Sequence, residues 1–281
     1  MIPRLSPLIV EEAVARALKE DFGDAGDITT NATIPADATS KAVIAARKPG
    51  VVAGGDAALA AFRLTDPAIN ITIENGNGAH VQKGDIILAI EGPARGVLSA
   101  ERVALNFMGH LSGVATATAA LVDAVKGTNA KIVCTRKTAP GLRAFEKHAV
   151  RCGGGHNHRF GLYDAVMIKD NHIAACGDIA KALAAARDAV GHMVKIEIEV
   201  DGLGQLEEAL ANGADVVLLD NMAPADLKRA VEINKGRAVL EASGNVTIDT
   251  VRAIAETGVD VISSGWITHS APNLDLGLDF L

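Results

Sequence analysis

Aromatic side chains are nearly absent, with one Trp, one Tyr and six Phe among 281 residues. The core must then be built mostly from Ala, Val, Ile and Leu, which suits closely packed helices on a β-sheet. Cysteine is scarce too: Cys134, Cys152 and Cys176 are odd in number and form no CxxC. That points away from a disulfide framework and toward a reducing, cytoplasmic compartment. No apolar run approaches the length that crosses a bilayer, so no membrane association is expected. Arg4 and Glu11-Glu12 interrupt any signal-peptide core, leaving an amphipathic helix over 6–20. With 27 Lys+Arg against 34 Asp+Glu, the net charge of −7 supplies no general footprint for nucleic acid.

The charge is unevenly placed. Residues 136–169 hold seven of the 27 bases and only two of the 34 acids, Glu146 and Asp164. The window is therefore +5 while the rest, 20 bases against 32 acids, is −12. Such a run is either a solvated face or one wall of a pocket for a polyanionic small molecule.

From residue 131 onward one unit repeats. KIVCTRK (131–137), DAVMIKDN (164–171), KIEIEVD (195–201), DVVLLDN (215–221), RAVLEASGN (237–245) and VDVISSGW (259–266) are short β-rich runs separated by helical segments. The alternation indicates parallel strands in a βα array. With six such runs and no glycine-rich dinucleotide fingerprint, it fits an α/β barrel better than an open doubly wound sheet. Each run ends in a polar group: Arg136 and Lys137, Lys169, Glu199, Asp220, Ser243 and Ser264. In a barrel those ends share one rim, where such folds place their chemistry.

The first hundred residues read as short strands with glycine-rich turns, giving an α+β domain with the N-terminal helix. A long alanine-rich helix over 99–127 connects it onward, with Ser99 placed as N-cap. The expected domains are 1–110, completed by the tail 270–281, and 111–269.

Arg136, Lys137, His158, Arg159 and Lys169 are donors suited to carboxylate and phosphate. Glu199 and Asp220, at the ends of consecutive strands, suit a Mg²⁺ shared with a diphosphate. Ser243-Gly244-Asn245 and Ser264-Gly265 are small enough for backbone N–H groups to approach a phosphate. Each has a plainer counterpart. A Ser-Gly pair after a strand is often only a turn. Glu197 and Glu199 share one strand face, so one of them is expected to be idle. His156 and His158 invite a zinc site with Cys152, but the further ligands it needs are missing. Lys169 could be a Schiff-base lysine, as in aldolases. GAHVQKGDIILAIEG resembles a biotinyl- or lipoyl-type hairpin but has no lysine at the expected turn.

TRKTAPGLRAFEKHAVRCGGGHNHRFGLYDAVMIKDNH, IEIEVDGLGQLEEALANGADVVLLDN, LEASGN and SSGWITHS closely resemble the quinolinate phosphoribosyltransferase family over nearly the whole chain. The resemblance implies transfer of phosphoribosyl from phosphoribosyl pyrophosphate to quinolinate with decarboxylation, giving nicotinate mononucleotide for NAD synthesis. It implies an N-terminal α/β sandwich, an open C-terminal α/β barrel of six to seven strands and a homodimer with shared active sites, which could associate further. Carried over by position, Arg136, His158, Arg159 and Lys169 form the quinolinate pocket, and Lys137 lies between quinolinate and phosphoribosyl groups. Arg102 reaches the neighbouring subunit's site. Glu199 and Asp220 meet the ribose and Mg²⁺-diphosphate, and Ser243–Asn245 with Ser264–Trp266 cradle the 5′-phosphate. Of these, Lys137, Lys169, Glu199 and Asp220 are the candidate catalytic residues. Trp266 departs from the family pattern, where a small residue is common. Three rivals stand beside this reading: a molybdenum-transport-associated paralogue of the same fold, a Lys169 aldolase, and a non-catalytic module that binds phosphorylated sugar.

Overall fold

The computed structural model describes residues 4–281. Up to the long helix, the elements are α1 (Pro7–Phe22), α2 (Ile28–Thr33), β1 (Thr39–Ala46), β2 (Gly50–Val51), α3 (Gly55–Thr65), β3 (Asn70–Ile73), β4 (His80–Val81), β5 (Ile86–Pro93) and α4 (Ala94–Ala124). There follow β6 (Lys131–Val133), α5 (Arg143–Cys152), β7 (Val166–Ile168), α6 (Asp170–Cys176), α7 (Ile179–Ala189), β8 (Ile196–Val200) and α8 (Leu203–Ala211). The chain closes with β9 (Val216–Asp220), α9 (Pro224–Asn234), β10 (Val239–Ser243), α10 (Val251–Ala255), β11 (Val261–Ser263), α11 (Trp266–His269) and β12 (Leu276–Phe280).

Two compact units result: one of residues up to Ala119 with 144–154 and 270–281, the other of 120–143 and 155–269. The first is built on an antiparallel sheet of order β12-β1-β5-β3. The tail strand pairs with β1, Ala42 opposite Phe280 and Ala46 opposite Leu276. Helix α1 packs on α3. Val10, Val14 and Leu18 on one and Ala57, Ala58, Ala61 and Phe62 on the other are buried at the i, i+3, i+4 spacing of an apolar stripe.

Two expectations need correction here. Helix α4 starts at Ala94, so Ser99 is not its N-cap; the Ser99 hydroxyl instead donates to Asp27 Oδ2 at 2.9 Å. The same 31-residue helix is also long and apolar enough to cross a bilayer by length and composition. Its apolar window is 61% buried inside the protein, as expected of a core helix. Gly153 fixes how closely the chain after α5 approaches α4: a Cβ there would stand 2.3 Å from the Ala115 carbonyl oxygen.

The second unit is a six-stranded parallel sheet of order β6-β11-β10-β9-β8-β7. Its outward residues, among them Ile196, Ile198, Val217, Leu219, Leu240 and Ile262, are buried. That is the pattern of a parallel sheet covered by helices. The sheet curls. One cavity of about 210 Å³ is lined by residues of all six strands, including Val133, Val166, Glu197, Val216, Val239 and Val261. The two edge strands, β6 and β7, do not pair, so the barrel is open. The segment after Gly155 lies along β6 through one parallel bridge, His156 to Val133.

Candidate active site

Parallel register places the strand ends in a row. Val133 lies opposite Ser263, Ser263 opposite Ser243, and Ser243 opposite Asp220. Lys169 follows β7 directly, and Glu199 is the penultimate residue of β8. The sheet thus brings Arg136, Lys137, Lys169, Glu199, Asp220, Ser243 and Ser264 to one end. The turn through Gly154 (φ +83°) precedes the segment that carries His158 and Arg159 along β6. Arg102 is on α4, in the first unit, and is exposed.

Two guanidiniums dominate the electrostatics. Arg159 Nη1 donates to the Ala165 carbonyl at 3.0 Å, while the buried Nε atoms of Arg159 and Arg136 have no hydrogen-bond acceptor among the described residues. Burial lowers the pKa of Arg159, the charge of Arg136 lowers it further, and Glu197 and Asp164 act the other way. Two like charges with unsatisfied, buried donors are chemically suited to an anion.

Beneath them lies a cluster that sequence reasoning only partly foresaw. His158 Nδ1 accepts from the Arg159 backbone N–H at 2.7 Å, which makes Nε2 the protonated nitrogen. Nε2 is 2.9 Å from Glu197 Oε2 and 3.7 Å from Glu241 Oε1. Both glutamates are buried, at 6% and 4% exposure, and each keeps one oxygen without a hydrogen-bond partner among the described residues. Burial first, and Glu197 second, push the Glu241 carboxyl up to about 7, with His158 pulling the other way. His158 thus holds the backbone of Arg159 from below. Nor is Glu197 idle, as expected of one of the two strand-face glutamates: it pairs with His158, while Glu199 Oε2 pairs with Lys169 Nζ. Glu241 was legible as an acid inside an apolar run, two residues before Ser243 and so on the same strand face.

The zinc grouping of His156, His158 and Cys152 gains no support. His156 is exposed, and burial pushes the Cys152 thiol up to about 12, far from the thiolate a metal needs. Lys169 Nζ is ion-paired with Glu199 Oε2, unlike the lysine of a Schiff-base site in a hydrophobic pocket. The loop after β11 is held by Ser264 N–H donating to Val133 O (3.0 Å) and Thr268 Oγ1 donating to Lys137 O (2.7 Å). A Cβ at Gly265 would stand 2.9 Å from Lys137 Cδ, so glycine there makes room for the lysine stem. Trp266, which opens α11, is 46% exposed.

A larger groove of about 550 Å³ lies at the opposite, N-terminal side of the strands. Its acids are spent on structure: Asp215 Oδ2 accepts from Ile196 N–H and Asp260 Oδ2 from Leu240 N–H. The catalytic candidates all lie at the other end.

The family models "Quinolinate phosphoribosyl transferase, N-terminal domain" and "C-terminal domain" match residues 27–112 and 114–279. A probable nicotinate-nucleotide pyrophosphorylase [carboxylating] of Bacillus subtilis is 45% identical over 260 residues, 92% of this chain and 89% of that one. The corresponding Mycobacterium leprae protein is 45% identical over 275 residues, covering 95% and 96%. Among solved structures, nicotinate-nucleotide pyrophosphorylase from Francisella tularensis superposes with a TM-score of 0.94 at 40% identity, covering 100% of this chain and 99% of that one. The Ehrlichia chaffeensis enzyme gives 0.94 at 43% identity, covering 99% and 100%. With both halves matched and identity sustained along the chain, the protein belongs to the quinolinate phosphoribosyltransferase family.

Proposed function

We propose that this chain transfers the phosphoribosyl group of phosphoribosyl pyrophosphate to quinolinate and releases CO₂, forming nicotinate mononucleotide in NAD biosynthesis. The observation that carries the reading of the site is the pair Arg136 and Arg159, two half-buried guanidiniums with buried Nε–H groups lacking acceptors. A pyridine dicarboxylate supplies two anions to such a pair.

In this reading Arg136 and Arg159 bind and orient the carboxylates, which aims the ring nitrogen at the anomeric carbon. Lys137, against Gly265, lies between the two substrates. Glu199 and Asp220 stabilise positive charge developing on the ribose. The Ser243–Asn245 and Ser264–Trp266 loops hold the 5′-phosphate. Nothing here requires a protein nucleophile; positioning and fixed charge lower the barrier. Decarboxylation follows from the cationic ring nitrogen acting as electron sink for the adjacent carbon, with Lys169 able to deliver a proton.

The donor set also fits Mg²⁺. Glu199 gives Lys169 only Oε2, and Asp220 gives Asn221 only Oδ2, so each keeps one hard oxygen for a cation that retains several waters. Bound there with diphosphate, Mg²⁺ would neutralise the leaving group's charge. Arg102, exposed and without a partner among the described residues, is the group we assign to a neighbouring subunit in a homodimer. Cys134, Cys152 and Cys176 as unbridged cysteines suit the cytoplasm.

The deciding assay combines quinolinate, phosphoribosyl pyrophosphate and Mg²⁺ and measures nicotinate mononucleotide and CO₂. Folded protein that forms neither product refutes the proposal.

A further inference from the structure

Asn221 follows β9 with φ +52°, a left-handed conformation that asparagine tolerates better than most residues. Its side chain faces two groups. Nδ2 donates to Asp220 Oδ2 at 2.8 Å, and Oδ1 accepts from Asn245 Nδ2 at 3.2 Å. The carboxylate can only accept, so the amide has one orientation. Its backbone joins the same two strands: Asn221 N–H donates to Ser243 O at 2.9 Å. Gly244 completes the fit. At φ +100°, its absent Cβ would stand 2.1 Å from Asn221 Oδ1 and 3.2 Å from Asn221 N. Asn245 is left-handed too, at φ +51°. Two left-handed turns, one after β9 and one after β10, thus interlock through a single amide.

We propose that Asn221 is a positioning residue that locks the Asp220 carboxylate to the Ser243–Asn245 loop. It thereby fixes the distance between the groups that meet the ribose and those that hold the 5′-phosphate of the phosphoribosyl donor. This rests on the reading of the site given above. No other common side chain meets the same demands. Alanine cannot bridge, glutamine is one methylene too long, and aspartate would face Asp220 with a second negative charge.

The test is the Asn221→Gly variant, which keeps the left-handed backbone and deletes both side-chain bonds. The KM for phosphoribosyl pyrophosphate should rise about tenfold, the loss of one to two hydrogen bonds, while the KM for quinolinate moves less than twofold. Asn245→Gly should raise the donor KM as well. The double variant should fall short of the product of the two single effects, because one bond is counted in both. A purely structural role would lower the melting temperature without splitting the two KM values. Equal changes in both constants, or multiplicative single effects, overturn the proposal. Should Asn221→Gly not fold, Asn221→Ser takes its place with the same expected split. A wild-type protein that forms no nicotinate mononucleotide refutes the function itself, an outcome distinct from an active enzyme whose variants show no split.

Discussion

Replacing Glu241 by Gln should change how stability depends on pH. Buried beside Glu197, the Glu241 carboxyl titrates near 7 instead of its ordinary 4.5. Below pH 4.5 the folded and unfolded chains both hold this proton and the stabilisation is fully present. As pH rises, the unfolded chain ionises first, so unfolding gains in favour until the folded carboxyl also ionises near pH 7. Each pH unit within that window removes about 1.4 kcal/mol, so about 2–3 kcal/mol disappears between pH 5 and pH 8. Glutamine fills a similar volume and never ionises. The variant's melting temperature, relative to wild type, should therefore climb by about 5 °C from pH 5 to pH 8. Any fixed packing cost of the amide offsets the whole curve and leaves its slope alone. Thermal midpoints of both proteins, measured at unit steps from pH 5 to 8 in one ionic strength, decide the matter. Curves separated by a constant amount would show that Glu241 does not carry a displaced proton, and the account of the cluster would fail.

Arg136→Ala should lower kcat/KM for quinolinate about a hundredfold, the scale of lost charge-assisted hydrogen bonds in a buried site; steady-state kinetics with each substrate varied would show the donor constant nearly unchanged. Chelation with EDTA should abolish product formation and Mg²⁺ restore it, with Glu199→Gln requiring several-fold more Mg²⁺, read from initial rates across a metal titration. Gly153→Ala places a methyl group against the Ala115 carbonyl and should cost at least ~2 kcal/mol, visible as a fall of several degrees in the melting temperature. If Arg102 serves the neighbouring site, mixing inactive Arg102→Ala and Lys169→Ala proteins after subunit exchange should restore about a quarter of wild-type activity, since half the dimers are mixed and each has one intact site.

Much of the second unit was legible because its strands are buried on both faces. Runs such as VVLL and IEIEV stand out against helical neighbours, and a polar residue at each run's end locates the rim. Helix α3 was not legible. Its segment, GDAALAAFRLT, follows paired glycines in a region of short strands, and only packing on α1 makes its alanines a core face. Ser99 looked like a cap because it precedes Glu101, yet α4 follows β5 without a gap and its first turn lies five residues earlier. The donors Arg136, Arg159 and Lys169 were legible from charge and position. Glu241 was visible as an acid inside an apolar run, but its partners were not, because His158 and Glu197 lie far from it in sequence and only the sheet sets the three together. Asn221 was hidden for another reason: its partner Asn245 lies 24 residues downstream, and only the fold brings the two turns together.

The unpaired edge of the barrel has a further meaning. Between β6 and β7 the wall is completed by a segment with one bridge and no ladder, and that segment carries Arg159. The stretch that spans the unpaired edge is therefore also the one that carries the Arg159 guanidinium. That stretch is tied toward β7 by Arg159 Nη1 donating to the Ala165 carbonyl at 3.0 Å and by the Phe160 and Gly161 N–H groups donating to Asp164, while His158 anchors it to Glu197. On the proposed function, a substrate carboxylate held by Arg159 would add one more tie across that open edge.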